Sequence, residues 1–514
     1  MTRKRTIGTR AALGGLTAAV ALLTAQPAAK ADQVSDLRAN NELLQRRLDQ
    51  LAQARIPGDP YGVTARPGPT TVQMMGGSFP RSFLIPGTDT SIRVGGEIRL
   101  NTQFFVTGGN SHQNPQSTNA GTTGQLNTIP LKGRTPGSAQ FLAREQGDEV
   151  LNWQASQSKL SVETRTPTSW GEARSFLEFD FAGGVAAGSR PGSAAQSLIP
   201  RLRYAYGTLG GLLFGQANSN FNDSDAGLET LDFGGLIGGS GPARTPQLRY
   251  TTPLAGWGLP GALSFSAEQP ETEIWAPGLG VFGANASGTT GTIPGGVGNP
   301  LKNSAPDLVA AWYIPQPWGH VDFAAVVRPA LRVESAFGAG IDKTYVGYGL
   351  NFSGDVKPRW FGWNNDYFVW GFVVGEAMGR YLYAGGGSST GLVSNITAAT
   401  LTAGTTIVKP TRGFSGRLGY QHRWTPQLRS NAGVGYWRLD VPGLNGVVCP
   451  AASRGAATGG CNQNEELAMG VANLIWSPVS FVDIGLEYLY GRRETTSGAH
   501  GDEHVIESRF RIRF

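Results

Sequence analysis

The last eleven residues read His504-Val505-Ile506-Glu507-Ser508-Arg509-Phe510-Arg511-Ile512-Arg513-Phe514. Even positions Ile506, Phe510, Ile512 and Phe514 are apolar, and odd positions Glu507, Arg509, Arg511 and Arg513 are charged. A period of two is that of a β-strand with one oily face and one ionic face. Three alternate arginines ending on a terminal aromatic predict a strand whose apolar face meets lipid and whose other face meets confined water.

Working back from this strand, the same alternation recurs along the chain. Ile92, Val94, Ile98 and Leu100 oppose Arg93, Glu97, Arg99 and Asn101. Leu160 and Val162 oppose Glu163 and Arg165, and Leu177, Phe179 and Phe181 oppose Glu172, Arg174, Glu178 and Asp180. Leu202, Tyr204 and Tyr206 are read as one face against Arg201 and Arg203; Leu248 and Tyr250 oppose Gln247 and Arg249. Val321, Phe323 and Val327 oppose Asp322 and Arg328; Val346, Tyr348, Leu350 and Phe352 alternate with Asn351 and Ser353. Leu418 and Tyr420 oppose Arg417, Gln421 and Arg423, and Val482, Ile484, Leu486 and Tyr488 oppose Asp483 and Glu487. Segments near 261–269, 306–314, 366–378 and 464–476 alternate less cleanly. The fold class expected is all-β, a transmembrane antiparallel up-and-down β-barrel of about 16 strands.

The connections alternate in length too. Short turns fall at 166–170, 209–211, 315–319, 425–427 and 477–480, with longer ones at 253–261 and 355–364, and long Gly/Ser/Thr/Asn segments lie near 108–155, 183–197, 270–305, 379–410 and 441–463. Short turns on one side and long loops on the other are expected of an outer-membrane barrel. Trp170, Trp257, Trp318, Trp360, Trp363, Trp424 and Trp476 sit in or beside the short connections, predicting a girdle at the periplasmic rim.

Totals agree. Of 514 residues only 16% are charged, with 74 glycines, 2 cysteines and 5 histidines. Mean hydropathy is −0.19, and no apolar run reaches the roughly 18 residues of a spanning helix. A net charge of +6 with no basic cluster on a helical pattern gives nucleic-acid binding no support.

The N-terminus sets the compartment. Arg3, Lys4, Arg5 and Arg10 precede an apolar segment from Ala11, and Ala29-Lys30-Ala31 completes a cleavage pattern, so residues 1–31 read as a signal peptide. Val34, Leu37, Asn41, Leu44, Leu48 and Leu51 follow at 3-4-3-4-3 spacing, the seam of a short helical coiled coil over 32–55 with one polar position. A solitary amphipathic helix packed on the barrel is the other reading. Pro57, Gly58, Pro60, Pro67, Gly68 and Pro69 make 56–80 a stiff linker, leaving 81–514 to the barrel.

Function rests on the inward list: Arg93, Arg99, Arg165, Arg174, Arg201, Arg203, Arg249, Arg328, Arg417, Arg423, Arg509, Arg511 and Arg513. A guanidinium at the lipid midplane costs about 2–4 kcal/mol, so these side chains are expected to face the lumen. Either they balance inward carboxylates and prop the barrel open, or their surplus makes a wall that attracts anions. The segment 218–240 carries Asp223, Asp225, Glu229 and Asp232. Asp223 and Asp225 also suit calcium, though a lone acidic loop is slender ground for a metal, and no cofactor is expected. Cys449 and Cys461, in one loop of an exported chain, read as a disulfide. The histidines form no H-E-x-x-H, no G-x-S-x-G elbow occurs, and the G-x-G-x-x-G at 278–283 lies in a loop, so no enzyme is expected.

The signal peptide, coiled coil and linker, the segment Ser82-Phe83-Leu84-Ile85-Pro86-Gly87-Thr88-Asp89-Thr90-Ser91-Ile92-Arg93-Val94-Gly95-Gly96 and the segment Glu229-Thr230-Leu231-Asp232-Phe233-Gly234 together resemble the DcaP-like porins of Gram-negative outer membranes. The resemblance spans the mature chain. It implies a homotrimer of sixteen-stranded barrels in outer-membrane lipid, with the N-terminal segment in the periplasm. It also implies passive uptake of small anionic solutes, aromatic dicarboxylates among them. In sixteen-stranded porins the third long loop folds into the lumen, and 218–240 is third here, so it is the expected constriction. The alternative is a non-conducting structural or adhesin barrel of the outer membrane.

Overall fold

A computed structural model describes residues 76–108, 129, 149–182, 200–241, 243–276, 280–284, 301–334, 341–359, 362–363, 365–383, 390–396, 398–442, 463–496 and 498–514. The expected signal peptide, coiled-coil seam and most of the linker, and Cys449 with Cys461, lie outside these residues. The chain divides into two compact units, Met1–Ser91 and Ile92–Phe514. In the first, Gly77 N–H donates to the Ser82 carbonyl (3.0 Å) and Ile85 N–H to that of Thr90 (2.9 Å), closing two successive six-residue loops.

The second unit is built on sixteen antiparallel barrel strands. They are β1 (Ser91–Thr107), β2 (Lys159–Thr168), β3 (Gly171–Asp180), β4 (Arg201–Leu209), β5 (Leu212–Asn218), β6 (Arg244–Pro253), β7 (Ala262–Glu268) and β8 (Asp307–Gln316). β9 (Gly319–Glu334), β10 (Asp342–Val356), β11 (Tyr367–Glu376), β12 (Arg412–Arg423), β13 (Leu428–Asp440), β14 (Asn464–Val479), β15 (Val482–Thr495) and β16 (His500–Arg513) complete them. Each pairs with the next, and β16 pairs with β1 from Glu97↔Arg513 to Thr107↔His504. Closure leaves no edge, which is what lets a sheet stand in hydrocarbon with every backbone group bonded.

Side chains sort by the pleat. Leu486, Ile98 and Ile512 on the outward face are 58%, 60% and 51% exposed, while Glu487, Arg99 and Glu507 on the inward face are buried. Trp170, Trp257, Trp424 and Trp476 stand exposed at the short-turn end, the half-wet place that indole favours.

Two features depart from the alternation read in the sequence. The register slips by one residue between Glu178 and Phe179 against β4, a bulge that places two successive residues on one side. Tyr204 and Tyr206, expected on the lipid face, therefore turn inward and cluster with Phe176 (ring centroids 5.9 and 5.6 Å). The second departure concerns what fills the barrel. Inward Trp437, Leu467, Val471, Leu489 and Val505 are apolar and buried, packed with Phe221, Leu236, Ile237, Met378 and Leu382 from the loops. The main hydrophobic core thus lies inside the barrel, against β8–β16. This explains why 366–378 and 464–476 alternate poorly: both their faces are apolar. Above it, the connections 269–306 and 377–411 share a four-stranded sheet (Thr272–Ala276, Gly280–Ala284, Leu392–Ser394, Val408–Pro410).

Candidate functional site

The interior is the site, and the 219–243 loop shapes it. This loop leaves β5 and runs along the inner wall instead of outward. Asn220 N–H donates to Glu268 on β7 (2.8 Å), and Asn351 on β10 donates to the Phe221 carbonyl (3.1 Å). Leu231 and Asp232 N–H both donate to Glu487 on β15 (2.8 and 3.0 Å). Arg509 and Arg99 donate to the carbonyls of Thr230 and Leu231 (2.9 and 2.6 Å). Ser415 and Arg417 donate to those of Gly239 and Gly238 (3.1 and 3.4 Å). Glycine at inward positions of the wall makes room: a Cβ at Gly433 or Gly485 would meet the side chains of Leu228 and Leu236, or of Leu231.

Charges hold the loop at two points. Asp223 accepts from His320 Nε2 (2.8 Å), whose Nδ1 is hydrogen-bonded to Asp355. Burial would push the Asp223 carboxyl up, but the imidazole bonded to it holds it below the ordinary carboxylate range. Glu229 is paired with Arg429 (2.6 Å), Arg511 (3.3 Å) and Arg509 (3.4 Å). Its carboxyl, which burial would raise, is likewise held low by these guanidiniums, Arg429 foremost. The stability from a lowered carboxyl is present above its unfolded value and is lost as pH falls through the lowered one. The Glu229 anchor is therefore expected to persist down to the ordinary carboxylate range and release only below it. Glu229→Gln should reproduce that release at neutral pH, read as larger, noisier single-channel current; an unchanged current trace would show that the anchor does not hold the loop.

The structure divides the inward arginines by what surrounds them. Arg328 is fully buried, against Glu273 (2.8 Å), Asp307 (3.4 Å) and the Ala377 carbonyl (2.8 Å). Arg417 and Arg509 are buried against the inner loop. These three, expected to line the passage, are enclosed where loops fill their side of the lumen. Arg99 and Arg203 are also buried, with Arg99, Arg201 and Arg203 lying 5.4, 5.7 and 5.1 Å from the Phe233 ring of the loop. Arg511 bridges Asp483 and Glu229, Arg513 pairs with Asp483 (3.0 Å), and Arg423 is exposed at the short-turn rim.

The water-facing set lies on β1–β6. Arg93, Arg165 and Arg174 surround Glu163, at 2.8 Å from Arg165 and Arg174, and each keeps about a third of its side chain exposed. Arg201 and Arg203 share Asp180 (2.7 and 3.0 Å), and Arg203 also binds Glu178 (2.7 Å). Arg249 bonds Gln247 (2.9 Å) and the Asn218 carbonyl, neither of them charged. Arg174 lies over Phe176 (5.7 Å) and Tyr206 (5.6 Å), so flat rings and guanidiniums share one wall. Asp223, exposed Asp225, Asp322 and Asp355 gather around His320 of β9, and Asp232 of the loop is buried.

Sequence reasoning missed Arg429, which grips Glu229, gave Phe233 no role of its own and put the inward tyrosines on the wrong face. Arg429 had no clean alternation around it, and the tyrosines were hidden by the bulge. Asp223 binds a histidine, and no group of three or more His, Cys, Asp or Glu suited to a metal occurs among the described residues.

A family model described as porin subfamily matches residues 79–507. The outer-membrane channel DcaP of Acinetobacter baumannii superposes with a TM-score of 0.59 at 21% identity, over 86% of this chain and 100% of that one. The OmpT outer-membrane protein of Vibrio cholerae in trimer form (TM-score 0.41, 9% identity, 83% and 99% covered) and an anion-selective porin from Comamonas acidovorans (0.41, 8%, 83% and 100%) are more distant. No curated protein matches.

Proposed function

The chain belongs to the porin subfamily, and from that membership we propose that it is a passive, anion-preferring diffusion channel for small anionic solutes, aromatic dicarboxylates among them. One observation carries the preference. On the inner wall of β1–β6, Arg93, Arg99, Lys159, Arg165, Arg174, Arg201, Arg203 and Arg249 outnumber Glu97, Glu163, Glu172, Glu178 and Asp180. A confined wall with surplus positive charge raises the local anion concentration. The solute class comes from the DcaP-like resemblance, and the rings of Phe176, Tyr204 and Tyr206 beside Arg174 suit a planar carboxylate, through stacking and bidentate hydrogen bonds. The 219–243 loop, with Asp223, Asp225, Glu229 and Asp232, narrows the passage. Reversal potentials in a planar bilayer under a salt gradient test the selectivity, and a cation preference would overturn it. The filled half of the barrel favours the rival, a non-conducting structural barrel; absence of channel steps would establish that instead.

We place the channel in the Gram-negative outer membrane, with 1–31 removed on export, 32–55 in the periplasm, 56–80 as linker and Cys449–Cys461 closing a surface loop. Homotrimers are supported by the outward face of β16 and β1–β4. There Thr102 pairs with Ser508 (2.5 Å) and Thr164 with Ser175 (2.6 Å), beside Ala205 and Gly207, where other strands present large apolar groups. Deleting 33–54 should weaken trimers without preventing folding. Trimers of unchanged heat resistance on a semi-native gel would exclude a role for the seam through Val34 to Leu51.

A further inference from the structure

The outward face differs between the two ends of the barrel. At the short-turn end it carries exposed tryptophans. At the long-loop end of β11–β15 it carries ion pairs: Glu376 with Arg412 (2.7 Å), Arg438 with Glu466, and Arg492 with Glu494 (3.2 Å). Alternation puts these side chains outside, in phase with exposed Val374, Leu418, Val434 and Leu486. They form one row around the wall, since Glu376 is opposite Arg412, Arg438 opposite Glu466, and Glu466 opposite Glu494.

The row stands clear of the apolar band. β14 has 16 residues and β15 has 14, whereas about 9–11 suffice to cross hydrocarbon. It therefore lies at the headgroup layer of the leaflet on the long-loop side. Arg332, with Glu334 (2.9 Å) and Asp342 (3.0 Å), continues it over β9 and β10, whereas at the same end of β1, β3 and β4 the outward residues are Phe104, Phe179 and Leu202. The guanidiniums are accessible, with side chains 73% exposed at Arg412, 51% at Arg492 and 28% at Arg438. Exposed pairs are screened and contribute little, so each arginine is free to exchange or share its carboxylate for a doubly charged phosphate, which its planar fork fits better than an ammonium does.

We propose that this row docks the phosphate groups of lipids in the leaflet facing the long loops, and that it does so independently of whatever solute the lumen passes. The occupant is lipid-borne, because the row sits directly above an apolar wall that holds acyl chains.

The test compares retention of bis-phosphorylated lipid A, dephosphorylated lipid A and phosphatidylethanolamine by the intact chain, using native mass spectrometry. Wild type should retain the bis-phosphorylated lipid about tenfold more than either other lipid. Arg412→Ser/Arg438→Ser/Arg492→Ser should lose that margin while keeping its single-channel conductance and ion preference. Glu376→Gln/Glu466→Gln/Glu494→Gln, which frees the guanidiniums, should widen it. Equal retention of phosphorylated and dephosphorylated lipid by wild type, or an unchanged margin in the glutamine variant, would overturn the proposal even if the serine variant failed to fold.

Discussion

Exchanging Arg165, Arg174 and Arg249 together for glutamine is expected to abolish most of the proposed anion preference, read as a reversal potential collapsing toward zero. These three are chosen from the geometry. Arg93 remains to neutralise buried Glu163, and Arg201 and Arg203 remain with Asp180 and Glu178, so no buried carboxylate is left alone. A unit charge acts on an ion about 4 Å away with about 1 kcal/mol in bulk water. Losing three should therefore move the anion-to-cation permeability ratio by roughly tenfold or more. Conductance at high salt should change little, because screening shortens the reach of the wall. A variant as anion-selective as wild type would place the selecting charges elsewhere.

Arg328→Met should act on stability instead. The guanidinium lies in a dry knot with Glu273 and Asp307, beside Arg380, which pairs with Asp307 (2.9 Å), and Tyr381, which donates to Glu268 (3.1 Å). Removing one partner of a buried pair leaves carboxylates uncompensated and costs about 3–5 kcal/mol. The knot ties the 269–306 and 377–411 connections to β8 and β9. The expected result is a lower temperature for loss of the compact, fast-migrating form on a gel, with earlier proteolysis of the 377–411 connection. Adding Glu273→Gln, which leaves Asp307 to Arg380, should restore much of the loss. If the double variant is no better than Arg328→Met alone, the damage comes from packing and not from stranded charge.

The barrel was legible because its lipid face is continuous. Ile98, Leu177, Leu418, Leu486 and Ile512 must all be apolar whatever stands behind them, so period two survives in most strands. The inward face was legible only where it is wet. Where the loops fill the lumen, inward Val471, Leu489 and Val505 are as apolar as their outward neighbours, and the alternation fades. For the same reason an inward arginine could be placed on its face but not assigned to water or to core: Arg174 and Arg328 read alike, and the difference lies in contacts more than forty residues distant in sequence, such as Glu273 and Ala377. Tyr204 and Tyr206 were misplaced because a single bulged residue inverts everything after it. The 219–243 loop was singled out by its order and its acids, while its grip on the wall depends on Arg429, Glu487 and wall glycines that carry no local signature.

The unequal filling of the barrel separates two duties onto different arcs of one cylinder. One arc, β8–β16, is welded to its inserts and bears the load. The other, β2–β6, meets the inserts chiefly where Arg201 and Arg203 lie on Phe233 and is otherwise a barer liner. Point changes that retune which molecules get through can accumulate on the liner without loosening the frame, so lineages carrying this architecture can drift in diet faster than in shape, and a nanopore engineer has a replaceable jaw set in a fixed vice.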